Sequence, residues 1–66
     1  MQVIANGKPF EVEHELTVAG FIRWRGLDPA FVLVELNGEP LERARYQRVR
    51  LAPGDRLELV RAVAGG

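Results

Sequence analysis

Residues 17–29 read TVAGFIRWRGLDP, and this stretch decides the fold because it holds the helical pattern of the chain. Its apolar residues Val18, Phe21 and Ile22 fall at positions i, i+3 and i+4, which places them on one face of a short helix. A single helix covers only one face of a sheet. We therefore expect the strands on either side of this stretch to form one sheet packed against it.

Both ends of the predicted helix carry recognisable signals. We expect Thr17 to be the N-cap, because its hydroxyl can accept a hydrogen bond from a free N–H of the first turn. Gly26 can adopt the left-handed conformation that often follows the end of a helix, and Leu27 can make the apolar contact that accompanies it. Pro29 prevents the helix from continuing. Gly20 costs about 1 kcal/mol relative to alanine inside a helix, so we expect a packing reason for it.

Strand-like runs flank the helix. MQVIAN and KPFEVE are joined by Asn6-Gly7, which predicts a β-hairpin because both central positions of its turn need positive φ. FVLVEL is apolar on both faces, which predicts a third strand that is central or covered on both faces. Asn37-Gly38 predicts a second tight turn. Because Pro40 has no N–H to donate, we expect the segment after that turn to be an edge strand or an irregular connection. After the turn at 53–55, RLELVRAV is the last predicted strand.

The predicted fold class is α+β: a ubiquitin-like β-grasp, with a mixed four- or five-stranded sheet and one main helix on one face. The helix is the crossover that lets the last strand run parallel to the first. We expect a β-grasp domain at 1–62 and a flexible C-terminal tail at 63–66. Apolar residues on the second sheet face need a partner to cover them; these predicted docking residues are Phe31, Leu33, Val60 and Ala62.

Composition narrows the class of function. The 66 residues contain nine basic and nine acidic side chains, so net charge gives no reason to expect nucleic acid or anionic membrane as a partner. There are no cysteines, no run approaches the roughly 20 apolar residues of a membrane span, and MQVIANGKPF lacks the pattern of a signal peptide. We expect a cytoplasmic protein.

Side-chain chemistry argues against an enzyme. Serine and cysteine are absent and the one threonine is assigned to a cap, so no nucleophile stands beside a base. His14 lies between two glutamates, and we interpret it as a solvated loop residue instead of a metal ligand. We expect no bound metal and no bound cofactor.

Two surface patterns have alternative interpretations. Arg43, Arg45, Arg48 and Arg50 surround Tyr46, which in an RNA-binding module would contact phosphates and stack on a base. We favour a charged surface that protects a sheet edge. For Trp24, we favour core or edge packing over a binding hot spot.

The last four residues are Val63, Ala64, Gly65 and Gly66. A terminal carboxyl, with a pKa of about 3.5, is an anion at neutral pH and a poor electrophile, but transfer of AMP from ATP activates it toward sulfur or amine nucleophiles. Glycine fits a narrow channel because it has no Cβ. Four extended residues span about 13 Å, which lets the domain dock outside while the final carbonyl reaches an active centre.

Features along the whole chain resemble the ThiS family, the bacterial sulfur carrier proteins of thiamine biosynthesis. They are the hairpin turn Asn6-Gly7, the helix start Thr17-Val18, the turn Leu36-Asn37-Gly38-Glu39, Arg43 followed by Tyr46, the turn Pro53-Gly54-Asp55, and the terminal Gly65-Gly66. Each is weak alone, and their order is more specific.

The resemblance implies a carrier that is not itself an enzyme. A ubiquitin-activating-type adenylyltransferase would use ATP to adenylate the Gly66 carboxylate, and a persulfide donor would convert it to a thiocarboxylate. Thiazole synthase would take the sulfur for the thiazole ring. The alternatives are the small subunit of molybdopterin synthase, a carrier for tRNA thiolation, a ubiquitin-like modifier of lysines and, in a different class, an RNA-binding β-grasp module.

Overall fold

The computed structural model describes residues 1–62. Two predictions concern residues outside this range: the tail at Val63 to Gly66, and the continuation of the last strand into Val63. Within them, the chain contains one α-helix and five strands. The elements are β1 (Gln2–Ala5), β2 (Lys8–Glu11), α1 (Val18–Trp24), β3 (Val32–Leu36), β4 (Glu39–Leu41) and β5 (Arg56–Arg61), with short 3-10 helices at Pro29–Phe31 and Arg43–Arg45.

The five strands form one mixed sheet in the order β2-β1-β5-β3-β4. β1 and β5 run parallel, with Ala5 opposite Leu57, while the other neighbours are antiparallel. This confirms the predicted β-grasp arrangement, in which the helix connects the first hairpin to the second. β4, which contains Pro40, is an edge strand as expected.

The third strand was predicted to be central or covered on both faces, and the first alternative holds. β3 is an interior strand, with β5 on one side and β4 on the other, and β5 is the middle strand of the five. Within residues 1–62, double coverage of β3 is not found. Its residues alternate between buried Val32 and Val34 and exposed Leu33 and Glu35, so one face lies open. Phe31 also falls outside the strand: it closes the 3-10 helix that Asp28 caps through a 2.9 Å hydrogen bond from the Ala30 N–H.

Local signals set the turns as predicted. Asn6 and Gly7 have φ of 49° and 79°, and Asn37 and Gly38 have φ of 52° and 85°. Two consecutive residues with positive φ form the type I′ geometry that suits the twist of a hairpin.

The helix begins and ends where the sequence indicates. The Thr17 hydroxyl accepts a 3.0 Å hydrogen bond from the Gly20 N–H. At the other end Gly26 has a φ of 78°, and its N–H donates to Arg23 while the Leu27 N–H donates to Ile22, which is the Schellman pattern. Gly20 has the expected packing reason, because a Cβ there would lie 2.8 Å from Leu16 Cδ1.

The core fills the space between the helix and one face of the sheet. Val18, Phe21 and Ile22 are fully buried, as the helical spacing predicted, against Val3 and Leu57 of the two parallel strands. No helix in the described part of the chain is long and apolar enough to cross a membrane.

Candidate functional site

In the sequence, the central strand β5 comes shortly before the residues predicted to carry the chemistry. β5 pairs along its length with β3, from Leu57 opposite Leu36 to Arg61 opposite Val32. One residue further, the Ala62 N–H donates a 2.7 Å hydrogen bond to the Phe31 carbonyl. The chain is therefore held to the sheet as far as Ala62. The predicted attachment residue Gly66 and the predicted threading residues Val63, Ala64 and Gly65 lie outside the described residues.

The four predicted docking residues come together beside this point. Leu33 and Val60 are directly opposite each other in the β3–β5 ladder, and Ala62 and Phe31 are joined by the hydrogen bond that extends it. The side chains of Phe31, Leu33 and Val60 are between 53% and 59% exposed, and Ala62 is also exposed. We call these four residues the apolar patch. Its exposure agrees with the sequence analysis, while its role in docking stays a prediction.

The sheet face opposite the helix, which is the open face, carries charged residues next to the apolar patch. Glu35 of β3 lies directly opposite Glu58 of β5, and Pro40 of β4 lies opposite Glu35 on the other side. Arg56, two residues before Glu58, is also exposed. A partner that covers this face therefore meets an apolar end and an acidic middle.

The RNA-binding interpretation of the arginine cluster fails at Tyr46. This side chain is 2% exposed and its hydroxyl donates a 2.8 Å hydrogen bond to the Val32 carbonyl. Tyr46 is a core residue and is not available to stack on a base. The arginines around it are exposed, and Arg50 lies 3.3 Å from Glu15 in an ion pair. No regular pattern in the segment signalled this burial.

The two remaining sequence candidates are His14 and Trp24, and both lie at the surface. His14 is an exposed loop residue, and residues 1–62 contain no group of three or more His, Cys, Asp or Glu side chains placed to hold a metal ion. Trp24 is 56% exposed and packs at the edge of the core, with its ring 6.0 Å from that of Phe10 and 5.9 Å from that of Phe21.

One arrangement was not anticipated from the sequence. Lys8, Arg25 and Arg61 line the same cleft, on the side of the sheet that faces the helix end. Lys8 and Arg25 are 17 residues apart in the sequence, and Arg25 and Arg61 are 36 residues apart. No local motif links them.

Comparison with known proteins gives consistent results. The model of the ThiS family matches residues 3–66. Proteins named thiazole synthase from Paramagnetospirillum magneticum and Magnetococcus marinus are 32% and 33% identical over the whole chain, which spans only 20% of their length. The crystal structure of the thiamine biosynthesis protein (ThiS) from Geobacter metallireducens superposes with a TM-score of 0.84 at 33% identity, with 100% of both chains covered. A solution structure of a thiamine biosynthesis protein from that organism gives 0.80 at 33% identity, and covers 100% of this chain and 88% of the other.

Proposed function

The chain belongs to the ThiS family, and on that basis we propose that it is a sulfur carrier that supplies sulfur for the thiazole ring of thiamine. The observation that supports this most strongly is the extent of the family match, which runs from residue 3 through Gly65 and Gly66. The β-grasp fold is a weaker support, because one fold hosts many functions.

The proposed chemistry takes place on the carboxyl group of Gly66. One of its oxygens attacks the α-phosphorus of ATP on an adenylyltransferase of the ubiquitin-activating type, and pyrophosphate leaves. The acyl adenylate is an electrophile: the outer sulfur of a persulfide attacks its carbonyl carbon, AMP leaves, and an acyl disulfide forms. A second thiol of the partner then attacks the inner sulfur of that disulfide, which releases the thiocarboxylate and leaves a new disulfide on the donor. Thiazole synthase then accepts the sulfur. The proposal requires that Gly66 carry a free carboxyl group.

The folded domain contributes reach and position to this reaction. Ala62 is hydrogen-bonded to Phe31, which fixes the point from which residues 63–66 extend. Four residues reach at most about 13 Å, so the adenylating centre must lie within that distance of the docked domain. Glycine at the last two positions removes side-chain bulk at the reacting carbonyl.

We propose that the apolar patch docks the domain onto its partner enzymes. Phe31, Leu33 and Val60 are each more than half exposed on a chain whose other large apolar side chains are mostly buried among the described residues. An exposed apolar surface of this kind is typical of a binding site. The patch includes Ala62, the last described residue before the proposed reactive end of the chain.

The chain acts in this proposal as a co-substrate, and its partners perform the catalysis. Serine and cysteine are absent, and the hydroxyl of Thr17 accepts a hydrogen bond at the helix N-terminus. The two relatives named thiazole synthase favour thiamine synthesis over molybdopterin synthesis as the pathway. Thiazole synthase is therefore the partner we propose for the loaded chain.

Intact mass spectrometry tests the proposal directly. The protein is incubated with ATP, a sulfur source and the cognate adenylating enzyme. We expect a mass gain that matches replacement of one carboxyl oxygen by sulfur. A chain that ends at Gly65 is the control and must show no gain. The same gain on the shortened chain, or no gain on either chain, contradicts the proposal.

A further inference from the structure

A cleft between the first hairpin, the end of α1 and β5 has a pronounced positive charge. Lys8 follows the hairpin turn, Arg25 is the C-cap of the helix, and Arg61 is the last residue of β5. All three line the cleft, and no acidic residue of the described part of the chain, 1–62, lines it with them. This is a local excess on a protein whose acidic and basic residues are equal in number.

None of the three cations is in an ion pair within residues 1–62. Within residues 1–62, the ion pairs are Met1 with Glu11 and Arg50 with Glu15. Lys8, Arg25 and Arg61 form no ion pair or side-chain hydrogen bond in that part of the chain, and all three are exposed. Three cations around one cleft repel one another unless an anion joins them.

The cleft has a fixed apolar floor. Phe10, Leu27 and Leu59 line it beneath the cations. The Arg25 guanidinium lies 4.4 Å from the centre of the Phe10 ring, a cation–π contact that limits its freedom. Asn6 joins the hairpin turn to β5 by exchanging hydrogen bonds of 2.8 and 3.2 Å with the backbone of Leu59. The floor therefore holds the Arg25 guanidinium in the cleft, and Asn6 holds the hairpin that carries Lys8 against β5.

The shape of the site indicates an extended occupant. The cleft encloses about 280 Å³, at the lower limit of small-molecule pockets. It continues into a second cleft that shares Leu27 and Arg61 with it and reaches Phe31 and Ala62. Together they form one groove from Lys8 to Ala62, which we call the cationic groove. Among the described residues that line it, one is acidic: Asp28 lies in the second cleft, and its Oδ1 accepts a hydrogen bond from the Ala30 N–H. Because the groove is long and has an apolar floor beneath charged side chains, it suits an extended peptide better than an isolated ion.

We propose that the cationic groove binds an acidic, extended segment of a partner protein. Guanidinium groups bind carboxylates through paired N–H donors, and the groove places two of them beside an ammonium group. The groove and the apolar patch meet at Phe31 and Ala62, so one partner can contact both. The inference does not depend on sulfur transfer, because Gly66 has no part in it.

Nuclear magnetic resonance titration tests the proposal, with a hexaglutamate peptide as the probe. We expect saturable shifts at the backbone amides of residues 6–8, 25–27 and 59–62. The triple variant K8Q/R25Q/R61Q should bind the peptide about tenfold more weakly, the effect of losing three exposed ion pairs. Added salt should weaken binding to the original protein, because the pairs are exposed.

The matched control removes the same charge elsewhere. R45Q/R48Q/R56Q also loses three exposed cations, and those side chains form no hydrogen bonds within residues 1–62. It should keep most of the affinity. The double variant K8Q/R61Q, which leaves Arg25 on Phe10, should show an intermediate loss and guards against an effect of unfolding.

Three outcomes overturn the proposal. The first is an equal loss in the triple variant and in its control, which indicates attraction by net charge alone. The second is shifts scattered outside the groove. The third comes from a parallel titration with inorganic pyrophosphate. If pyrophosphate saturates the groove at a lower concentration than hexaglutamate does, the groove is assigned to a phosphate ligand.

Discussion

The hydroxyl of Tyr46 donates a 2.8 Å hydrogen bond to the carbonyl of Val32, the first residue of β3. The backbone carbonyl of Tyr46 accepts a 2.9 Å hydrogen bond from the Ala19 N–H in the first turn of α1. One residue of the irregular connection between β4 and β5 is therefore attached to both the helix and the sheet. These two bonds anchor a segment whose regular structure is limited to the 3-10 helix at Arg43–Arg45.

We expect Tyr46→Phe to lower the free energy of unfolding by about 1 kcal/mol, because the ring stays packed and only the buried hydrogen bond is lost. Urea denaturation measures the change. Gln47→Ala is the control, since this exposed neighbour should change stability by no more than about 0.5 kcal/mol. A stability equal to that of the original protein shows that the hydrogen bond makes no net contribution.

Glu58→Gln should raise the free energy of unfolding by about 0.5 kcal/mol at low salt, because Glu58 lies directly opposite Glu35 and like charges at such positions repel. The gain should shrink as salt is added, since both side chains are exposed. Thermal unfolding at two salt concentrations provides the measurement. Glu42→Gln, at an exposed site outside the sheet, should give no comparable gain.

Gly20→Ala should stabilise the helix less than its propensity implies, because the new Cβ meets Leu16 Cδ1 at 2.8 Å. In a Leu16→Ala background that contact is gone, while Thr17 Oγ1 stays 3.2 Å from the new Cβ, so the same substitution should recover part of the stabilisation of about 1 kcal/mol that alanine has over glycine. A double-mutant cycle of unfolding free energies measures the coupling between the two positions. Equal effects of Gly20→Ala in both backgrounds contradict the packing explanation.

Leu33→Glu should weaken binding to the adenylating partner about tenfold or more, because it places a charge at the centre of the apolar patch. Calorimetric titration measures the affinity. Leu33 is 55% exposed, so the fold should persist, and circular dichroism checks this. Gln47→Glu adds the same charge outside the sheet and should leave binding unchanged. Unaltered affinity in Leu33→Glu rejects the role of this residue in docking.

The parts of the fold that were predictable from sequence depend on local interactions. Asn6-Gly7 and Asn37-Gly38 specify their turns through their own backbone preferences, and Thr17 and Gly26 specify the helix ends through bonds to residues close in sequence. These features need no knowledge of the rest of the chain.

The errors and omissions concern distant contacts. The apolar character of FVLVEL allowed a strand covered on both faces, but the helix packs on one face only, so β3 alternates between buried Val32 and Val34 and exposed Leu33. The burial of Tyr46 depends on contacts with α1 and β3. The cationic groove joins residues from three separate elements, so no spacing in the sequence reveals it. The predicted chemistry at Gly66 remains a prediction, since that residue lies beyond 1–62.

The place of β5 in the sheet has a consequence for the order in which the molecule assembles during synthesis. β1 pairs with β2, and β3 with β4, but only β5 joins the two hairpins. An isolated two-stranded hairpin is marginally stable in water. A nascent polypeptide whose residues Arg56–Arg61 are still inside the ribosome therefore lacks every strand pairing between the two hairpins, and the five-stranded sheet can close only after β5 emerges.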